Sequence, residues 1–486
     1  MTGTLQKCLN DLYEWCFETG FIFSPQKTKC ILFSNKRKLI KPKLFLGTSR
    51  LPFVEDISIL GLTFDKKLSW KSHIMSLKKN SYKSLNVIKS LSHCEWGAEG
   101  TILLNVYRSL VRSKLDNGSI CYGNSESKLL QILDTIHNAG LRFSIGAFKS
   151  SPIVSLLSLT GEPSLQHRRT KLSLNYIARI FSSPENSTIH FLNKKRFSNI
   201  YEHNSKLRKP LGLRLQKEMM DINIEINEIC QHESSLIPTW KQPNYLVDTS
   251  LTEHLRKETP NTIYNNLFNE LIHTSNTSTQ IYTDASKTEM GIGLAVVHLN
   301  VTKQYKLNKL SSIYSAEYLA LLKGFQFALD INNAKIDICS DSLSALANLQ
   351  SKTLSEPLAL SISNLLSKSN KEIRFIWTPG HCNIKGNEKA DEAARNAVNS
   401  PDSENIPFSS LVDIKKNISK YCIDLWNSQW HMTTENKLRE IKHSVELWPR
   451  YTELNRKNEV ILNRLRIGHT KLTHGHHNFS SQFKIL

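Results

Sequence analysis

Between Gln280 and Val398 the hydrophobic period of the chain switches repeatedly between two residues and about 3.6, and the order of those switches restricts the fold more than any other feature. The run QIYTDASKTEMGIGLAVVHL reads as a strand ending at Asp284, a tight turn, and a second strand carrying Gly291 and Gly293; a third follows around KQYKLNKL. In SAEYLALLKGFQFALDI, by contrast, Ala316, Leu319, Ala320, Gly324 and Phe327 fall on one helical stripe, with Glu317 in the first turn beside it. AKIDICSDS returns to alternation, setting Ile336, Ile338 and Ser340 against Asp337, Cys339 and Asp341, and a helix LSALANL follows. EIRFIWTPGH then reads as a strand that ends in a loop at His381, and GNEKADEAARNAV as a helix with Asp391 near its beginning. Strand, strand, strand, helix, strand, helix, strand, helix predicts an α/β unit on a mixed five-stranded sheet with flanking helices.

In such a sheet, ligands bind beyond the carboxyl ends of the parallel strands. Asp284 and Asp341 fall at those ends, one helix brings Glu317 alongside, and the last brings Asp391. Taken singly, each acid reads as a solvated or helix-capping carboxylate; their order and spacing together point to a site. Four carboxylates in one place repel one another and raise each other's pKa unless cations sit among them. Oxygen-only ligands select a hard cation, Mg²⁺ or Mn²⁺. Two such ions roughly 3.5–4 Å apart suit phosphodiester hydrolysis, since one orients a water in line and the other stabilises the leaving oxygen.

The remainder of the 486 residues points to a polyanionic partner: 63 Lys+Arg against 43 Asp+Glu give a net charge of +20. The excess is uneven, with 22 basic against 11 acidic residues in 1–150 but only 13 against 11 in 277–400. Grip and chemistry therefore separate along the chain. No apolar run approaches the roughly 20 residues that span a bilayer, and MTGTLQKCLN lacks the order of a signal peptide, so neither a membrane partner nor secretion is expected. Nine scattered cysteines without a CxxC pair read as reduced, mostly buried thiols in the nucleus or cytoplasm.

Five segments follow from the pattern. Residues 1–69 read as a helix (Leu5, Leu9, Leu12, Trp15 and Cys16 on one stripe) and two extended pieces, KTKCILFSNKRK and ISILGLTFDKKLSW. Residues 70–125 form a basic helical unit with Ile74, Leu77, Tyr82, Leu85, Ile88, Leu103, Val106, Leu110 and Val111 as core candidates. Lys78, Lys79, Lys83, Arg108 and Arg112, a solvated face on the plainest reading, become candidate phosphate contacts because of the charge excess. Residues 126–272 read as an α-rich connector, 276–400 as the α/β unit, and 401–486 as a basic helical tail. The histidines of that tail, 469, 474, 476 and 477, lack the spacing of a metal site. No internal repeat is present.

YTDAS, SAE, SDS and WTPGHCNIKGNEKADEAA resemble, in order, the four motifs of type 1 ribonuclease H. The resemblance implies a ribonuclease H-like fold that cuts the RNA strand of RNA/DNA hybrids, leaving a 3′-hydroxyl and a 5′-phosphate. It makes Asp284, Glu317, Asp341 and Asp391 ligands of two Mg²⁺ or Mn²⁺ ions, His381 a mobile-loop residue assisting proton movement or product release, and Asn387 a support behind them. Ser286, Ser312 and Ser342 become candidate contacts to the hybrid, or else ordinary turn and cap residues. Ala285 stands where many members have Gly, and Tyr314 and Leu343 where they have polar residues.

LNDLYEWCFETGFIFSPQKTKCILFS, LGLTFDKKLSWKSHI and YRSLVRSKLDNGSICYG resemble the end of the palm and the thumb of jockey-like non-LTR retrotransposon reverse transcriptases. That implies a small α+β palm remnant and an α-rich thumb and connector ahead of the nuclease. The paired aspartates of a polymerase YxDD motif are absent, so no DNA synthesis is expected of this chain alone, and a separate reverse transcriptase chain becomes a candidate partner. The Cys/His-rich knuckle into which RLRIGHTKLTHGHH leads in that family is absent too. Two other readings stand beside the nuclease: a nucleic-acid-binding relic that no longer cuts, and an accessory fragment working with a polymerase.

Overall fold

The computed structural model describes residues 2–36, 40–192, 198–204, 207–222, 229–231, 245–253, 259–273, 278–351, 357–449 and 454–470. The chain divides into two compact units, one of Met1–Ser173, Phe197–Leu211 and Cys422–Leu486, the other of Leu174–Arg196 and Gly212–Tyr421.

In the first unit, helix Thr2–Thr19 forms as the sequence predicts, and ISILGLTFD becomes a hairpin of Asp56–Ile59 against Leu62–Asp65. KTKCILFSNKRK, expected as a strand, makes only an isolated bridge from Cys30 to Phe53 among its described residues. The Asp65 carboxylate accepts the backbone N–H groups of Ser69 and Trp70, at 3.0 and 2.7 Å, turning the chain into helix Lys71–Leu91. Ile74, Leu77, Leu85 and Ile88 of that helix pack with Leu103, Tyr107, Val111, Leu133 and Ile136, whereas Tyr82 and Leu110 stay exposed. Lys79 and Lys83 face solvent and Lys78 is half-buried. Arg108 and Arg112, expected as phosphate contacts, are instead committed within the unit: their guanidinium groups donate to the buried Glu162 carboxylate at 2.7 and 2.6 Å. A buried carboxylate needs such partners, and it claims both arginines. Of the tail histidines, 474, 476 and 477 lie outside the described residues.

The second unit is a three-layer α/β/α structure. Its sheet and the helices considered below are β1 (Tyr245–Asp248), α1 (Asn261–His273), β2 (Thr279–Lys287), β3 (Ile292–His298), β4 (Val301–Leu307), α2 (Ile313–Asp330), β5 (Lys335–Ser340), α3 (Leu343–Gln350), α4 (Pro357–Leu366), β6 (Glu372–Trp377), α5 (Lys385–Ala397) and β7 (Glu404–Asn405). The sheet runs β7-β4-β3-β2-β5-β6-β1, with β2, β5, β6 and β1 mutually parallel and β3 antiparallel to both neighbours. It therefore has seven strands, not five. The added strands come from segments read as α-rich connector and helical tail; runs of four and two residues hold too few alternations to register as strands. Helix α4 is likewise an addition to the expected order.

Both faces of the central strands are covered, so alternation along them separates two cores rather than core from water. Ile281, Ile338 and Phe375 face α2, α3 and α4. Tyr282, Cys339 and Ile376 pack instead with Phe268 of α1 and Ile384. Asp337 is held beneath the sheet by Arg374 (Nε to Oδ1, 2.9 Å) and the Ser278 hydroxyl at 2.6 Å. Glycines set how closely the helices approach: a Cβ on Gly324 of α2 would lie 2.5 Å from Thr283 Cγ2, and one on Gly293 of β3 would lie 2.2 Å from the Ala394 carbonyl of α5. Gly293→Ala should therefore push α5 off the sheet and destabilise this unit by about 1–3 kcal/mol; a denaturant midpoint equal to wild type would contradict the close approach.

Candidate active site

The parallel ladder of β2 and β5 ends at Thr283 opposite Ser340. The next residues, Asp284 and Asp341, stand side by side where the ladder stops. Asp284 is thus not at the end of its strand, as the sequence suggested, because β2 continues to Lys287 in antiparallel pairing with β3. Glu317 is the fifth residue of α2, one turn further in than expected, and α2 lies close because of Gly324. Carboxylate oxygens of Asp284, Glu317 and Asp341 all lie within 4.8 Å of one another.

The surroundings fix these groups. Ala285 N–H donates to Asp284 Oδ1 at 2.8 Å, and Trp377 Nε1 donates to the Asp341 carbonyl at 3.1 Å. A Cβ on Gly380 would come within 2.8 Å of Asp341 Oδ2, so the loop after β6 passes the carboxylate at a distance only glycine allows. Burial, then the Asp341 charge, pushes the Asp284 carboxyl up to about 8, with Asp391 adding to the rise and the Ala285 N–H opposing it. Burial and the same three acids drive Glu317 well above the carboxylate range. Its Oε2 is buried without a hydrogen-bond partner. An orphaned buried oxygen beside two crowded carboxylates is what a bound cation satisfies, and three oxygen donors suit Mg²⁺ or Mn²⁺.

Asp391 is the seventh residue of α5, two turns in rather than near the start. It acts on Asp284 and Glu317 electrostatically, but its close neighbours are others. Arg395, one turn on, holds both its oxygens, Nε lying 3.0 Å from Oδ1. His381 Nδ1 is 3.7 Å from Oδ2, and His381, Glu388 and Asp391 form a second group whose ligand atoms lie within 4.8 Å. The His381 ring is 68% exposed. Asn387 is buried, and its Oδ1 accepts the Thr378 hydroxyl at 3.0 Å, tying α5 to the end of β6.

Of the proposed hybrid contacts, Ser286 and Ser342 are half-buried, two residues after Asp284 and one after Asp341. Ser312 caps α2, its hydroxyl accepting Ser315 N–H at 3.2 Å while its own N–H donates to Asp413 at 2.9 Å. Lys78, Lys79 and Lys83 belong to the other unit. Sequence reasoning missed Arg395 and Gly380. The four-residue offset of Arg395 from Asp391 on a helix was the available signal for the first; nothing local distinguished the second.

The sequence model of a family described as RNase H matches residues 276–399. These residues form an RNase H domain. Among solved structures, RNase H1 from the halophilic archaeon Halobacterium salinarum NRC-1 matches at 19% identity over 25% of this chain and 98% of that one, with a TM-score of 0.21. No curated protein matches the chain. In this RNase H domain the sheet gains β1 and β7 from residues outside the matched segment.

The raised carboxyls have a measurable consequence. Unfolded carboxyls titrate near about 4, so between that pH and about 8 the metal-free fold keeps an Asp284 proton that the unfolded chain releases. Stability in EDTA should be full below pH about 4 and decline as pH rises toward about 8. Asp284→Asn should remove much of that decline in denaturant titrations across the range; a wild-type profile that rises with pH would contradict the burial.

Proposed function

We propose that the RNase H domain hydrolyses the RNA strand of RNA/DNA hybrids endonucleolytically, using two Mg²⁺ or Mn²⁺ ions, and leaves 3′-hydroxyl and 5′-phosphate ends. One observation carries this reading: Asp284, Glu317 and Asp341 converge within 4.8 Å in a buried setting where Glu317 Oε2 has no other partner. When bound, the ions supply Lewis-acid polarisation of the phosphodiester and an activated water. Asp284, Glu317 and Asp341 would hold them, with Asp391, paired with Arg395, as the fourth candidate ligand. His381, exposed and within reach of Asp391, can take up or return a proton at its ring nitrogens as product leaves. Ser286 and Ser342, half-buried and close in sequence to Asp284 and Asp341, are the candidate contacts to a 2′-hydroxyl of the cut strand.

The wider context belongs to the same proposal. The exposed Lys79 and Lys83 of helix Lys71–Leu91 support duplex holding through phosphates, and the motifs of the first 125 residues support a retrotransposon reverse transcriptase origin, with a thumb-like unit and a palm remnant. The chain then works in the nucleus or cytoplasm, without DNA synthesis of its own, alone or beside a separate polymerase chain. No described helix is long and apolar enough to cross a membrane. The second reading, a relic that binds hybrid without cutting, is favoured by one fact, the occupation of Asp391 by Arg395.

Cleavage of a labelled RNA/DNA hybrid in Mg²⁺, with double-stranded RNA as control, separates the two. Groups behind metal ligands typically matter by about 10–100-fold, so Asp341→Asn should slow cleavage by at least about 100-fold while hybrid binding persists. Absence of cutting by the folded wild type in both Mg²⁺ and Mn²⁺ would establish the relic.

A further inference from the structure

The loop carrying His381 is built in a conformation it does not favour. His381 and Asn383 both have left-handed backbones, with φ of 56° and 61°, uncommon for residues with a Cβ. Within the segment that matches the RNase H family, Asn383 N–H donates to Glu388 Oε1 at 3.2 Å; two further contacts come from outside that segment. Asn261 Nδ2 of α1 donates to the His381 carbonyl at 3.3 Å, and Asn265 Nδ2 donates to the Asn383 carbonyl at 3.2 Å. Asn269 Nδ2 in turn donates to Asn265 Oδ1 at 3.1 Å, which aims the Asn265 amide nitrogen at the loop.

These three asparagines recur every four residues and so share one face of α1. Another face is an anchor: Phe268, Leu267, Leu271 and Ile272 pack with Leu251, Cys339, Ile376 and Ile384, the last of these being where the loop rejoins the fold. A helix fixed by its apolar side thus presents two amide donors to the two carbonyls of the strained residues.

We propose that α1 is a positioning element for the hydrolysis inferred above, on which this proposal rests: Asn261 and Asn265 hold the loop so that His381 stays beside Asp391. Both asparagines act through His381 and touch neither ion nor substrate. Each hydrogen bond at the surface shifts an equilibrium by about threefold, so losing both should lower the population of the held loop by about tenfold.

The test is Asn261→Ala with Asn265→Ala in the full chain, with Asn266→Ala, on α1 but without a bond to the loop, as control. The proposal expects hybrid cleavage to slow about tenfold with KM unchanged, amides of 379–384 to exchange faster, and β2 and β5 amides to exchange as before. Combined with His381→Ala, the pair should cause no further loss, since the effect passes through that ring. Unchanged exchange at 379–384, or losses that add to those of His381→Ala, would overturn it. If the double variant does not fold, Asn265→Ala decides at about threefold. A wild type that does not cut hybrid would defeat the proposed hydrolysis, while the exchange measurement still judges the clamp.

Discussion

Mutual repulsion among Asp284, Glu317 and Asp341 governs the rest of this domain. Their oxygens lie within 4.8 Å of one another, and burial first, then the neighbouring Asp341 charge, pushes Asp284 up to about 8. Left alone, the fold must keep protons on groups that water would strip. The sheet sets where their backbones stand: the parallel ladder of β2 and β5 stops one residue short of both aspartates, which places Asp284 and Asp341 next to each other.

The helices complete the cluster from opposite layers. Glu317 arrives on α2, brought close by Gly324, and Asp391 on α5, brought close by Gly293. Two close approaches at glycine, rather than any special feature of the acids, decide how near the four carboxylates come. Asp391 also carries its own ion pair, with Arg395 one helical turn on. The loop after β6 is under a different tension, with two left-handed residues pinned by α1.

The acidic centre was legible in the sequence because it is carried by long elements with clear periods. YTDAS sits on a nine-residue strand and SAE on a long helix, SDS begins at the end of the six-residue β5, and the PGH-to-KAD run leads from a loop into α5; the structure brings three of their acids together with the fourth acting on them. What stayed hidden was either short or non-local. β1 and β7 are too brief to show a period, so the sheet was read as five strands and its edges were missed. Arg108 and Arg112 looked like a basic face because their partner, Glu162, lies some fifty residues away in sequence. KTKCILFSNKRK has the composition of a strand but finds only one bridge among its described residues, a tertiary outcome that propensity does not foresee. The asparagine face of α1 was visible as spacing, yet meaningless without the loop it holds.

The proposed chemistry requires those three carboxylates to serve as ligands for a hard cation. Anomalous diffraction from crystals grown with Mn²⁺ tests it most directly. The expected result is a manganese peak bounded by Asp284, Glu317 and Asp341, with Glu317 Oε2 among its ligands. Ordered density for all three side chains with no manganese between them, at a concentration that fills other sites on the protein, would contradict it.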